Sequence, residues 1–203
     1  MDYEAQLFQV APWTQEFLQL AKTLNNGAIM RGRTGWLNRG VENPESIYEH
    51  CCKVGLAAYH LFGTEEAVAL GIIHDFPEIY SRDYTPGEID PLEKRDCESA
   101  IMQEISNILP NGNFWLGKWQ DFENRLGIGK QIAELDKICP AIQAVDYLNA
   151  SNGNSLEQFY PYSRKKVNTP QLVALLDQIC LGEIPNEQSA YEVYFAGLDR
   201  IML

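Results

Sequence analysis

The sequence predicts an all-α fold, and three observations carry that prediction. Apolar residues recur at three- and four-residue spacing along most of the chain, the period of an amphipathic helix. No stretch alternates apolar and polar residues for long enough to demand a strand. Prolines, glycines and short polar side chains stand where helix starts and stops need them.

In chain order, Pro12 to Asn25 places Trp13, Phe17, Leu20 and Leu24 on one face, with Gly27 at the position of a C-terminal cap, and reads as a first helix. From Gly27 to Pro44 the chain is glycine-rich and basic, with Arg31, Arg33 and Arg39 around Trp36, and reads as a loop. Ser46-Ile47-Tyr48-Glu49 is a capping box: the serine hydroxyl can accept from the Glu49 amide while the glutamate reaches back to the Ser46 amide. The helix it opens runs to Leu61 or Phe62 and stops at Gly63. Thr64 caps the next, which carries Ala67, Val68, Leu70, Ile72 and Ile73 up to His74-Asp75 before Pro77 interrupts the ladder.

Asp83 to Gly87 reads as a turn, and Asp90-Pro91 as the cap and first position of a helix reaching Leu109, with Cys97, Ile101, Ile105 and Ile108 inward. Pro110-Asn111-Gly112 ends it, and a core segment with Trp115, Trp119 and Phe122 follows. Ile132 to Leu148 is a long helix with Leu135, Cys139, Ile142 and Val145 on its inner stripe and a kink expected at Pro140. Thr169-Pro170 starts a helix that ends at Gly182, and Glu187 to Leu203 supplies the last, with Val193, Tyr194, Leu198 and Ile201.

With 203 residues and 45% hydrophobic content, the chain can bury one sizeable core, and no repeat or linker divides it. One domain over 1–203 is expected, its core roughly 12–181 and a helical extension over 183–203. A net charge of −12 repels DNA and RNA and disfavours a polymeric nucleic-acid partner. A small anion remains admissible, because a bound divalent cation dominates its local field. The uncharged stretches Val54–Gly63 and Ala67–Ile73 fall far short of the ~20 residues needed to span a bilayer, and the Met-Asp-Tyr-Glu start has no basic leader region. A cytoplasmic location follows as an expectation. Five scattered cysteines with no CxxC pair read as reduced thiols of a cytosolic protein.

Of three histidines, two sit where helix ends would meet: His50 just after the capping box, and His74 followed at once by Asp75. Two imidazoles and a carboxylate begin a divalent metal site. Glu78 lies four residues after His74 and faces the same way if the turn through Pro77 stays near-helical; Asp83 returns in the adjoining loop. Asp136 and Asp146 offer a further carboxylate. Asp136 is the better candidate, being on the inward stripe between Ile132 and Cys139, where an unpaired carboxylate is costly to bury. His60, beside Tyr59 and Leu61 near a helix end, reads as a packing or surface residue.

Arg33-Thr34-Gly35-Trp36, Pro44-Glu45-Ser46, Glu49-His50, His74-Asp75 with Glu78, Asp83 with Thr85-Pro86, the charged run Glu93-Lys94-Arg95, Leu135-Asp136-Lys137 and Gln143-Ala144 stand in an order that resembles the HD-domain 5′-deoxynucleotidases of the YfbR type. The resemblance is nearer to the branch called HD domain-containing protein 2, and it fades after about Leu176. It implies an HD-domain helical bundle, with His50, His74, Asp75 and Asp136 as ligands of one divalent ion, Mn, Co, Fe or Mg. It also implies Glu78 as the catalytic carboxylate, Asp83 as a second acid beside the substrate, and Arg33 and Trp36 as nucleotide contacts. In the bacterial members the arginine immediately precedes the tryptophan; here Thr34 and Gly35 intervene. A small phosphate ester, above all a deoxynucleoside monophosphate, is the implied substrate, and a homodimer the implied assembly. Hydrolysis of another phosphate ester or of a triphosphate on the same scaffold is the alternative, and a metal- or nucleotide-binding module without turnover a second.

Overall fold

A computed structural model of the chain describes residues 31–150, 153 and 156–181; the helices read at Pro12–Asn25 and Glu187–Leu203, and the extension over 183–203, lie outside the described residues. The fold is all-α, with no strand among the described residues and one isolated bridge, between Gly32 and Ser46. The elements are a short α1 (Thr34–Leu37), α2 (Ile47–Phe62), α3 (Glu65–Ile73), a 3₁₀ turn (Phe76–Ile79), α4 (Pro91–Ile108), α5 (Gly112–Glu123), α6 (Gly129–Asn149), a second 3₁₀ turn (Leu156–Gln158), α7 (Phe159–Arg164) and α8 (Pro170–Leu181). No described helix is long and apolar enough to cross a membrane.

Local chemistry sets the helix limits. Ser46 and Glu49 complete the capping box of α2 in both directions, and Gly63 ends the helix at φ +65°, a conformation glycine adopts without a Cβ penalty. The Thr64 hydroxyl accepts from the Ala67 amide at the start of α3. Asp90 caps α4 through the Leu92 and Glu93 amides, with Pro91 at the first helical position.

The hairpin of α2 and α3 is drawn tight where two glycines cross: a Cβ at Gly71 would stand 2.7 Å from Gly55 Cα and 2.8 Å from Gly55 N. Helix α6 runs through the middle of the bundle. One apolar cluster joins α2, α3, α6 and α8 through Val54, Leu70, Leu135, Ile138, Leu172 and Leu176. A second, of Ile47, Ile73, Phe76, Met102, Ile105 and Trp119, seats the first 3₁₀ turn on α4 and α5. A third packs Trp36, Val41, Ala144 and Leu156.

Two expectations are corrected. The segment before Pro44 is not simply loop: Arg33 N–H donates to the Glu45 carbonyl, α1 follows at once, and Trp36 is buried. On α4, Cys97 is exposed and Ile108 only half-buried. The inward row is Lys94, Glu98, Met102 and Ile105, because the first half of α4 overhangs the apolar core and borders a polar pocket instead. Pro140 lies inside α6, which continues as helix on both sides of it.

Candidate metal centre

Four side chains from three elements converge. His50 comes from the first turn of α2, His74 and Asp75 from the end of α3, and Asp136 from the middle of α6. The His50 Nε2 atom stands 2.9 Å from Asp136 Oδ1, 3.3 Å from His74 Nε2 and 3.7 Å from Asp75 Oδ2. His74 Nε2 lies 3.3 Å from Asp75 Oδ2 and 3.4 Å from Asp136 Oδ1. All four donor atoms fall within 4.8 Å of one another. At metal–donor distances of about 2.0–2.2 Å, neighbouring ligands around one cation stand roughly 3.0–3.5 Å apart, so these spacings fit donors to one cation.

The surroundings prepare the donors. His74 Nδ1 donates to the Gly71 carbonyl at 2.7 Å, which leaves Nε2 with its lone pair toward the other three donors. Trp119 Nε1 donates to the His74 carbonyl. Lys137 Nζ donates to Asp136 Oδ2 at 2.5 Å, leaving Oδ1 to face the histidines.

Charge is the second argument for a cation. Burial would lower the pKa of both imidazoles; at His74, Asp75 and Asp136 outweigh it and raise the pKa to about 10, whereas at His50 the Arg33 charge adds to burial and the net shift is downward. Burial would raise both aspartates, yet His74 and Arg33 hold Asp75 below the ordinary carboxylate range, and Lys137 with the two histidines holds Asp136 there. Two ionised carboxylates are thus brought together with two imidazoles in a buried place, an arrangement a divalent ion neutralises and a neutral core does not. Cys51 and Cys139 are buried nearby with thiol pKa values pushed up first by burial, so neither offers a thiolate.

Glu78 lies outside this set. The 3₁₀ turn carries it into the interior at 4% exposure; Oε1 accepts from Lys94 Nζ at 3.2 Å, and Oε2 is buried with no partner. Burial first, then the charges of Asp75 and Asp83, push its pKa well up, against Lys94 and Arg33. Asp83 Oδ2 accepts from the Thr34 N–H at 2.6 Å and stands 3.9 Å from Arg33 Nε. Arg33 Nη2 is 3.9 Å from Asp75, while its Nη1 is buried without a partner. Trp36 stacks on Phe159 at 4.3 Å and gives its N–H to Glu45, so it contributes wall area to the pocket and no hydrogen bond.

Asp75, Asp136, Glu78, Asp83, Arg33 and Trp36 border one cavity of about 480 Å³, within the size range of small-ligand sites. Arg33, Arg39, Lys94 and Lys137 line it, a local cluster of cations in a chain of net charge −12. Asp146, the other acid weighed on sequence grounds, is not among the converging donors. Sequence reasoning gave no role to Lys94, Glu98 or Lys137. The four-residue spacing of Lys94 and Glu98 was the available signal for the first two.

The HD domain family model matches residues 30–173. Among characterised proteins, the chain is 29% identical over 157 residues to 5′-deoxynucleotidase HDDC2 of Xenopus laevis, covering 72% of this chain and 78% of that one. The human protein of the same name is 28% identical over 159 residues, covering 72% and 76%, and 5′-deoxynucleotidase hdd1 of Schizosaccharomyces pombe is 26% identical over 159 residues, covering 72% and 80%. Among solved structures, a protein of Pyrococcus horikoshii OT3 superposes with a TM-score of 0.65 at 21% identity, over 81% of this chain and 99% of that one; it shares the fold.

Proposed function

The chain belongs to the HD domain family, and from that premise we propose that it is a metal-dependent phosphohydrolase releasing phosphate from deoxynucleoside 5′-monophosphates. One observation carries the reading: two imidazoles and two carboxylates meet beside a buried glutamate that is not one of them, in a cavity with arginine and lysine in its wall. The relatives named 5′-deoxynucleotidase supply the substrate class.

His50, His74, Asp75 and Asp136 would hold the ion, and their mixed nitrogen and oxygen set suits Mn²⁺, Co²⁺, Fe²⁺ or Mg²⁺. When bound, such an ion polarises a phosphate oxygen and acidifies water. Arg33, with a buried and unpartnered Nη1, supplies a donor and a positive charge for the phosphate. Glu78 takes the proton of the attacking water as the new O–P bond forms, and returns it to the 5′-oxygen as the P–O5′ bond breaks. Burial and the neighbouring acids push its pKa up, which favours its carrying a proton between the two halves of that transfer. Asp83 holds the Arg33–Thr34 segment against the pocket, and Trp36 with Phe159 forms an apolar wall for the nucleoside. The family resemblance also supports a homodimer, which sedimentation of the purified protein tests.

A panel of dAMP, AMP, dATP and a simple phosphate ester, offered to the metal-loaded protein, tests the substrate class. Phosphate from dAMP above the others is expected. Pyrophosphate or triphosphate from dATP, with dAMP untouched, would replace the proposal with a triphosphate hydrolase on the same scaffold.

A further inference from the structure

Lys94 makes two close ion pairs, to Glu78 Oε1 at 3.2 Å and to Glu98 Oε1 at 3.1 Å. It reaches the pocket wall from α4, a helix whose corresponding stretch is otherwise exposed. Glu98 is 13% exposed at its side chain, so a carboxylate has been brought toward the interior one turn below the lysine. With Lys94 committed to Oε1, the buried Glu78 carboxylate keeps a single unpartnered oxygen, Oε2.

We propose that Lys94 is a positioning residue of the hydrolytic site: anchored from below by Glu98, it grips Glu78 by one oxygen, fixes the plane of the carboxylate and reserves the other oxygen for the proton of the reacting water. The assignment rests on the proton-transfer role given to Glu78 above. Electrostatics agree with the geometry. The charged and titratable groups facing Glu78 are Asp75, Asp83 and Cys51, with Arg33 and Lys94; the acids press toward protonation and the two cations oppose them. Lys94 in turn faces Glu78, Glu98 and Asp75, and Glu98 also faces Glu123 of α5. Removing the lysine takes away the cation that grips one Glu78 oxygen and leaves Arg33 to oppose protonation of the base.

The experiment compares wild type, Lys94→Met and Lys94→Arg in the metal-loaded protein, following kcat and KM for dAMP from pH 5 to 9 alongside metal content and melting temperature. Lys94→Met should keep its metal, lose about 10²-fold in kcat at neutral pH, a typical proton-transfer contribution, with KM little changed. Its acid limb should move to higher pH, and Lys94→Arg should recover most of the loss. A rise in KM alone, with kcat and the pH profile unmoved, would overturn the inference by showing that Lys94 grips substrate and not Glu78. Where Lys94→Met does not fold, Lys94→Gln, which keeps a neutral donor and removes the charge, should move the acid limb the same way; an unmoved limb would overturn the inference. A carboxyl-carbon NMR titration of Glu78 in the Mg²⁺-loaded protein, its signal identified by loss in Glu78→Gln, gives a readout independent of turnover. Glu78 should titrate higher in Lys94→Met than in wild type, and equal values would refute the assignment. Should the wild-type protein hydrolyse no monophosphate, the proposed function fails, while this titration still decides the place of Lys94.

Discussion

Gly71→Ala perturbs the fold and the metal centre through one atom. A Cβ there would stand 2.7 Å from Gly55 Cα, 2.8 Å from Gly55 N and 2.9 Å from Val54 C, all backbone of α2. Carbon contacts settle at roughly 3.5–4.0 Å, so the two helices must part by about 1 Å. Such overpacking costs about 1–3 kcal/mol, and clashes with backbone belong at the upper end; for a chain of this size that is a fall in Tm of roughly 6–12 °C. His74 hangs from the Gly71 carbonyl by Nδ1, and His50 lies on the helix being pushed away. The two Nε2 atoms, 3.3 Å apart, should separate, and metal affinity should fall on the order of 10–100-fold, as for other lost supports of metal ligands. Thermal melts in chelator and titration calorimetry with Mn²⁺ measure the two effects. Two companions calibrate them. Gly55→Ala meets Ile72 Cγ1 at 2.8 Å, a side chain able to move, and should cost less; Gly117→Ala on α5 meets nothing within 4 Å and should be neutral or stabilising by about 0.5–1 kcal/mol. A Gly71→Ala protein with wild-type Tm and wild-type metal affinity would refute the reasoning.

Other outcomes follow from the same contacts. Glu78→Gln should retain metal and lose at least about 10²-fold in kcat, since Glu78 is not among the four converging donors; wild-type turnover would remove its role. In the metal-free protein the His74 pKa, about 10, exceeds its unfolded value of about 6.5, so the stability it lends is full below the unfolded value and is lost as pH rises through the folded one. A metal ion must displace that proton, so affinity should strengthen about tenfold per pH unit between pH 7 and 9, and dissociation constants flat across that range would contradict the charge balance described. Trp36→Phe should keep the wall against Phe159 but strip Glu45 of one donor, costing about 1–3 kcal/mol in a urea melt; an unchanged midpoint would mean that the hydrogen bond contributes nothing.

Much of the scaffold was legible because its signals are local. Ser46 with Glu49, Thr64, and Asp90 with Pro91 declare helix starts through hydrogen bonds that close within three residues. The cost of burying a carboxylate singled out Asp136 over Asp146, and Asp136 is the one that meets the histidines. What was not legible depends on distant partners. Trp36 looked like a loop residue because its burial is made by Phe159 and Tyr147, far along the chain. Cys97 was read as inward because an apolar stripe was assumed to continue to the start of α4. The side chain facing the pocket there is Lys94, paired with Glu98 one turn on, and a polar stripe announces itself only when the opposite wall is known.

Metal binding to the Asp136→Ala protein tests the central claim most directly. Wild-type protein, stripped and titrated with Mn²⁺, should bind one ion tightly per chain and gain thermal stability from it. Asp136→Ala should lose both the tight binding and the gain, while Glu78→Gln, measured beside it, should keep them. An Asp136→Ala protein that still bound the cation with wild-type affinity would contradict the account.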